Sequence, residues 1–179
     1  MYLLSAHQPA VASDLNGAQV TTGVYCCTSP IPSNLRSNLA VSTVGPSVEL
    51  PTGSLFGSTV IPISIDFSAN SISTVFTSSA SAASGSFNGY LFQFDLAPGL
   101  FISSVTLNPL SNYTPVSVSF TSTTVAINNA SLNFVAGSRA VVDVTVSAVP
   151  EPESVALLGA GLLLVTYKGR KRSERFAVA

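Results

Sequence analysis

The sequence predicts an all-β protein, an antiparallel β-sandwich followed by one short C-terminal hydrophobic helix. From about Ser58 onward, apolar and polar residues alternate with a period of two, and turn residues separate the runs at intervals of roughly eight to twelve residues. No segment before residue 149 has the apolar spacing of a helix. Ser and Thr make up 41 of the first 149 residues, and hydroxyl-rich, β-branched composition is typical of strands. Jelly-roll-like and immunoglobulin-like topologies both fit this spacing.

Eight alternating runs predict eight strands between Ile61 and Val146. The residues that define them are Ile61, Ile63, Ile65 and Phe67; Ile72 to Thr77; Tyr90, Phe92, Phe94 and Leu96; Phe101, Val105 and Leu107; Val116, Val118 and Phe120; Val125 and Ile127; Leu132 and Phe134; Val142, Val144 and Val146. Pro62 lies within the first run and indicates an edge strand or a bulge, because proline has no amide hydrogen to donate. The apolar side chains are expected to meet between two sheets, with Ser and Thr facing solvent.

The rest of the first 148 residues is less regular. Gln19–Tyr25 and Leu39–Val44 are predicted to add one or two strands to the domain. Ser78–Ser86 contains only Ser, Ala and Gly, which predicts a flexible loop with too little bulk to pack. A chain of this size buries an adequate core, so residues 13–148 are expected to form a single domain.

Residues 1–12 have one feature of a processed terminus, although they lack a basic n-region and His7, Gln8 and Pro9 interrupt the hydrophobic run. Ala10-Val11-Ala12 has the small-x-small pattern of a signal-peptidase site, so we expect maturation after Ala12 and interpret residues 1–12 as the remnant of a signal peptide. An ordinary flexible terminus is the alternative.

The last thirty residues carry a different pattern. The sorting-motif residues Val149, Pro150, Glu151 and Pro152 are followed by Glu153 and Ser154, and both prolines favour an extended, exposed segment. Residues 155–167 then form an uncharged run that contains Val155, Leu157, Leu158, Leu162, Leu163, Leu164 and Val165. As a helix this run is about 20 Å long, short against a hydrocarbon core of about 30 Å. We therefore expect a transient membrane insertion rather than a permanent span.

A basic cluster at residues 168–175 gives the orientation of this helix. It contains Lys168, Arg170, Lys171, Arg172 and Arg175 with only Glu174 opposing them, and residues 176–179 end the tail. Cytoplasmic flanks of membrane helices collect Lys and Arg, so the C-terminus should face the cytoplasm and the β domain the other side. A solvated face or a nucleic-acid patch is the alternative for a basic cluster, and a plain stiff linker is the alternative for the proline motif.

In this order, the proline motif, the apolar helix and the basic cluster resemble the PEP-CTERM sorting signal of Gram-negative bacteria. The resemblance covers residues 149–172. It implies an exosortase, an integral-membrane cysteine peptidase, as the partner that cleaves near Pro150–Pro152. It also implies a precursor held in the inner membrane, a product that is secreted or displayed on the cell surface, and an association with exopolysaccharide and biofilm.

The composition of the first 149 residues excludes several classes of protein. Two basic residues, Arg36 and Arg139, against five acidic ones give a net charge of −3, which argues against nucleic-acid binding. His7 is the only histidine, so His-based nucleophilic catalysis and zinc binding are not expected. Asp66 and Asp95 would serve as a carboxylate pair or calcium ligands only if they met, and solvated surface acids are the simpler interpretation. We expect no enzyme activity and no cofactor.

Cys26 and Cys27 are adjacent and are the only cysteines. Each has three options, a bond to its neighbour, a bond to another chain, or a free thiol. A vicinal disulfide forms in an oxidising compartment although adjacent Cα atoms lie closer than disulfide geometry prefers. A structural role is favoured over a redox or metal role, because no further ligands accompany the pair.

Carbohydrate binding is the best-supported binding hypothesis from the sequence. Sandwich modules stack sugars on exposed aromatic rings, and Tyr90 and Tyr113 lie near predicted turns, with Asn88 beside Tyr90 as a hydrogen-bonding group. The alternative is that Tyr90 is a core residue. The sequence therefore predicts an exported structural or interaction protein of the cell surface, with a carbohydrate-binding module as the second hypothesis.

Overall fold

The computed structural model describes residues 13–149. The predicted signal-peptide remnant, the apolar helix 155–167, the basic cluster and all of the sorting motif after Val149 lie outside these residues. The described part contains one short 3-10 turn, Pro32–Asn34, and eleven strands. The strands are β1 Gln19–Cys27, β2 Ala40–Thr43, β3 Ile63–Ser68, β4 Ser71–Phe76, β5 Ala80–Ser81, β6 Phe87–Asp95, β7 Leu100–Leu107, β8 Ser117–Phe120, β9 Thr124–Asn128, β10 Asn133–Phe134 and β11 Arg139–Ala148. Among residues 13–149 no helix is long and apolar enough to cross a membrane.

The strands form two large sheets and one small one. The first has five strands in the order β2-β1-β6-β9-β8, and all of its pairings are antiparallel. The second has four strands in the order β3-β4-β11-β7, with β4 antiparallel to both β3 and β11. The third consists of β5 and β10 alone. The all-β class predicted from the sequence is confirmed.

One hydrophobic core joins the two large sheets. Alternation places every second side chain of β3 in this core, so Ile63, Ile65 and Phe67 are buried while the residues between them are partly exposed. The ring of Phe67 meets two rings of β6 edge to face, with centroid distances of 5.5 Å to Phe92 and 6.0 Å to Phe94. Since β3 and β6 belong to different sheets, inner faces of the two sheets pack against each other, which is the contact that the predicted sandwich requires.

Pro62 precedes β3 rather than interrupting it, and β3 lies at the edge of its sheet. The edge position agrees with the expectation from proline. Phe120, predicted to be apolar core, is 44% exposed because β8 is also an edge strand, at the end of the five-stranded sheet.

Two expectations about small and polar residues are wrong. Ser78–Ser86 does not form a loop without packing, because Ala80–Ser81 pairs with β10 and Ala82 is buried at 8% exposure. Small side chains suit this site, where the amide of Ala82 donates to the carbonyl of Leu132 at 2.8 Å. Hydroxyl residues also do not all face solvent. Thr22 and Thr74 are fully buried, and Thr74 donates to the carbonyl of Ala140 at 3.3 Å, which offsets part of the cost of burial.

Candidate functional site

The register between β1 and β6 places the candidate residues at one end of the five-stranded sheet. Val24 lies opposite Tyr90 and Cys26 lies opposite Asn88. These four residues share a face with Val20 and Phe92, because residues two apart along a strand point the same way. That face is the inner one, so the end of β1 and the start of β6 bring Cys26 and Asn88 to the margin of the core.

The sulfur atoms of Cys26 and Cys27 are bonded to each other, and the peptide between the two residues is cis. Residues 85 and 86, just before β6, lie against the end of β1 and hold it in place. The amide of Ser86 donates to the carbonyl of Cys27 at 3.0 Å. Gly85 has a φ of +149°, and a Cβ there would collide with the Cys27 carbonyl, so this approach requires glycine. Cys26 is buried at 8% exposure, and Cys27 is exposed.

A cavity of about 360 Å³ opens beside this disulfide. The residues at its exposed rim are Cys27, Arg36, Thr59, Ser81 and Ala83. Its inner surface is mostly apolar and consists of Val24, Cys26, Ile61, Phe76, Ala82, Asn88, Gly89, Tyr90, Asn129 and Phe134. The volume lies at the lower end of the range of about 300–1,000 Å³ that is usual for small-molecule sites.

Arg36 is fixed at the rim through its main chain. Its amide donates to the carbonyl of Val24 at 2.8 Å, which holds the segment against the end of β1. On the other side, a Cβ on Gly57 would collide with the Arg36 carbonyl, so the chain at Gly57 also lies against this residue. The guanidinium has a hydrogen bond of 3.4 Å to the carbonyl of Leu35, and otherwise no acceptor within residues 13–149.

Three asparagines organise the inner end of the cavity. The side-chain oxygen of Asn128, the last residue of β9, accepts from two backbone amides. One is that of Asn88 on the neighbouring strand β6, at 3.0 Å, and the other is that of Ala130 just after β9, at 3.1 Å. Asn88 donates from its side chain to the carbonyl of Ala83 at 3.1 Å. Asn129 is 2% exposed, and its Oδ1 accepts from the hydroxyl of Tyr113 at 3.4 Å. Its buried Nδ2 has no acceptor among the described residues.

The predicted aromatic platform is contradicted at Tyr90. This side chain points inward from the middle of β6 and is 3% exposed, because the strand begins at Phe87, three residues before the predicted start at Tyr90. Burial, and secondarily the nearby Tyr113, raise the pKa of Tyr90. Its ring packs between Phe76, at a centroid distance of 6.3 Å, and Phe92, at 6.4 Å. Tyr90 is therefore a core residue whose edge reaches the cavity.

Tyr113 does not join Asn88 at the cavity surface. Its half-buried ring packs on Phe76 and Phe134 at centroid distances of 5.9 and 5.2 Å, and it lines a separate depression formed by residues 107–114. Burial raises the pKa of Tyr113 to about 12, although hydrogen bonds with Thr74 and Asn129 oppose this effect. Tyr113 therefore reaches the cavity only indirectly, through ring contacts with Phe76 and Phe134 and through the hydrogen bond from its hydroxyl to Asn129.

The two acids considered as a carboxylate pair lie on different sheets, Asp66 on β3 and Asp95 on β6. Asp95 is exposed, as a surface acid should be. Asp66 is partly buried, and burial followed by the charge of Glu49 raises the pKa of Asp66. Within residues 13–149, no group of three His, Cys, Asp or Glu side chains is arranged to hold a metal ion.

Arg36 and Asn129 were not predicted as site residues. They are 93 positions apart, and neither belongs to a sequence motif. The only local signal for Asn129 is a pair of asparagines directly after the apolar run Val125–Ile127. Because asparagine is also a common turn residue, this pair does not by itself indicate a buried site.

The described domain ends at Val149, which is exposed, and the chain continues for thirty residues beyond it. The PEP-CTERM protein-sorting motif matches residues 148–172, so the chain carries this motif. The match starts at Ala148, the last residue of β11. No curated protein and no solved structure matches the chain.

The motif indicates exosortase-dependent sorting, and therefore export to the cell envelope. This confirms the resemblance predicted from the tail. Of the predicted motif residues only Val149 lies in the described part, where it is 55% exposed. The membrane-anchor residues and the basic cluster lie outside it.

Proposed function

We propose that this chain is the precursor of a structural or interaction protein of the cell surface. In this proposal, residues 155–167 insert briefly in the inner membrane and residues 168–175 stay in the cytoplasm. An exosortase then cuts near Pro150–Pro152 and frees the β domain, a two-sheet sandwich, outside the cell. The sorting motif at residues 148–172 carries the proposal.

The end of β11 supports cleavage at this place. Val146 is the last buried residue of the strand, and Ala148 and Val149 are exposed. Peptidases bind extended, accessible backbone, and prolines beyond Val149 keep the chain out of helix and strand. A cut within the motif therefore meets no packed side chain of the described domain.

Mass spectrometry of the surface and secreted fractions tests the processing. Trypsin cuts after Arg139 and after Lys168, so the uncut precursor yields the peptide 140–168. We expect the exported form to lack this peptide and to end between Pro150 and Glu153. In a variant with Pro150→Ala and Pro152→Ala, the intact peptide should accumulate in the membrane fraction. Glu153→Gln, which lies just after these prolines, is the matched control and should be processed normally. An intact 140–168 peptide in the secreted wild-type protein would contradict the proposal.

A carbohydrate-binding module that associates with exopolysaccharide is the second candidate. The cavity beside Cys26 and Cys27 favours it, because the cavity is concave, mostly apolar and edged by polar groups. Stacking on exposed tyrosines no longer supports it, since Tyr90 is buried. Retention of the exported protein on columns of immobilised polysaccharide is the test. If the protein is not retained on any polysaccharide, the carbohydrate-binding candidate is wrong and only the structural role stands. We propose no enzymatic activity, and hydrolysis of a polymer by the purified protein would contradict that.

A further inference from the structure

We propose that the cavity beside the Cys26–Cys27 disulfide binds a sugar ring that carries a carboxylate, as in a uronic acid. The proposal rests on the carbohydrate-binding candidate and specifies its ligand, and it is independent of the sorting proposal. Three observations on residues 13–149 carry it, namely a buried amide with no acceptor in this range, a cation at the rim, and a mostly apolar cavity lining.

The buried amide requires an acceptor. Asn129 lines the cavity at 2% exposure, and the Nδ2 group has no acceptor among residues 13–149. Buried polar groups in folded proteins are nearly always hydrogen-bonded, and an unpaired one is costly. We expect the Asn129 side chain, whose Nδ2 has almost no accessible surface here, to turn toward the cavity and donate to a hydroxyl or ring oxygen of the ligand. The oxygen of the same amide accepts from the Tyr113 hydroxyl at 3.4 Å.

The rim supplies the charge. Arg36 is the only charged residue that lines the cavity in the described part, where five acidic residues outnumber two cations. The other cation, Arg139, donates to the carbonyl of Leu110 at 2.9 Å and does not line the cavity. Among residues 13–149 the guanidinium of Arg36 has one long hydrogen bond, to the carbonyl of Leu35, which leaves its other donors available to a ligand within this part of the chain. Guanidinium binds carboxylates through two parallel hydrogen bonds, and this points to an acid.

The rest of the cavity lining is mostly apolar. It includes the disulfide and the side chains of Val24, Phe76 and Phe134. Sulfur is soft and polarisable, and it contacts the C–H face of a sugar ring as favourably as an aliphatic side chain does. A sugar acid offers an apolar face together with hydroxyls along its edge, and these match the apolar walls and the amides of Asn88 and Asn129. An alkyl carboxylate would satisfy Arg36 but would leave the Asn129 amide unpaired.

Calorimetric titration of the full chain in mild detergent tests the proposal with three probes. D-glucuronate is the expected ligand, D-glucose is its neutral counterpart, and hexanoate is an apolar carboxylate. We expect glucuronate to bind about tenfold or more tightly than either of the others, because only glucuronate makes both sets of contacts. Methyl β-glucuronide distinguishes a uronic acid within a saccharide chain from the free sugar acid, because its anomeric oxygen is substituted as in a glycosidic bond. If it binds as glucuronate does, the ligand is a residue in a saccharide chain, and if it does not, the ligand is the free acid.

Variants distinguish the two polar contacts. Arg36→Gln should reduce the affinity for glucuronate to that for glucose, while the matched Arg139→Gln should leave it unchanged. Asn129→Asp replaces the donor by an acceptor of the same shape and should weaken all sugar binding. A thermal unfolding curve for each variant separates lost binding from lost folding, and Arg36 is exposed enough that its variant should fold.

Several results would overturn the proposal. They are equal binding of glucose and glucuronate, hexanoate binding as tightly as glucuronate, or no binding of any probe. The last result would not touch the sorting proposal, which mass spectrometry tests. The polysaccharide column separates this result from failure of the carbohydrate-binding candidate. If no probe binds but the protein is still retained on the column, carbohydrate binds at a surface other than this cavity.

Discussion

The packing of the two sheets makes a strong prediction for Phe67→Ala. Phe67 is fully buried on β3 and is the aromatic residue through which that edge strand contacts β6 of the other sheet. Replacing it with alanine leaves a cavity between the sheets and removes both edge-to-face contacts. Neighbouring side chains from two sheets line the gap, so it should collapse only partly.

The expected loss is about 3–5 kcal/mol in the free energy of unfolding, as is usual for a buried phenylalanine changed to alanine. The two aromatic contacts contribute about 0.5–1.5 kcal/mol each to that figure. Folded domains are stable by only about 5–15 kcal/mol, so this one change removes a large share of the total. For a domain of this size the midpoint of thermal unfolding should fall by roughly 10–20 °C.

Urea and thermal unfolding followed by circular dichroism measure this loss. Phe120→Ala and Phe56→Ala are matched controls, since these side chains are 44% and 67% exposed, and they should change the stability by less than about 0.5–1 kcal/mol. If Phe67→Ala were no more destabilising than these controls, the two sheets would not share a core in solution, and the packing described above would be wrong.

Three further changes test local features. Gly89→Ala should lower the free energy of unfolding, measured by urea titration, by about 1–3 kcal/mol or more, because the new Cβ would collide with the Ile127 carbonyl. Gly45→Ala is the control and should be close to neutral, because nothing lies nearer than 3.8 Å to its Cβ. Asp66→Asn should stabilise the protein at pH 7, since a raised pKa means that the ionised carboxylate is disfavoured in the folded state; the difference should vanish below pH 3.8, the ordinary pKa of the group, in thermal unfolding at both pH values. The stability of the wild type should fall as the pH rises from about 10 toward 12, because unfolding lets Tyr113 ionise, and Tyr113→Phe should show a smaller fall in unfolding measured across that range.

The sequence predicted those strands that bury one face and expose the other, because their apolar and polar residues alternate. β3 shows this well, since Ile63, Ile65 and Phe67 alternate with polar residues and local sequence alone carries the pattern. β5 was missed because a two-residue strand of Ala and Ser has no periodicity. It exists through its pairing with β10, some fifty residues later in the chain. Burial of Thr22 was missed because threonines were expected to face solvent, although Thr22 alternates with Val20 and Val24 and lies opposite Phe92 on the inner face.

The candidate site was predictable in part. Cys26, Cys27 and Asn88 were singled out from the sequence, and the register of β1 with β6 brings them together. Tyr90 was expected either as an inward-facing residue of a strand or as a sugar contact beside a turn, and its burial agrees with the first expectation. An exposed tyrosine at a turn and a buried one within a strand have the same local sequence. Arg36 was not found, since its position depends on one hydrogen bond from its amide to β1, which no sequence pattern encodes.

Export and folding make separate demands on the end of this chain, and β11 meets both. β11 lies inside its sheet, between β4 and β7, and its inward side chains, including Val142 and Val144, belong to the core. Any cut before Val146 would remove core residues from a central strand and would be expected to unfold the sheet. A cut after Val149 removes none of them. The sorting motif therefore begins just after the last core residue of β11.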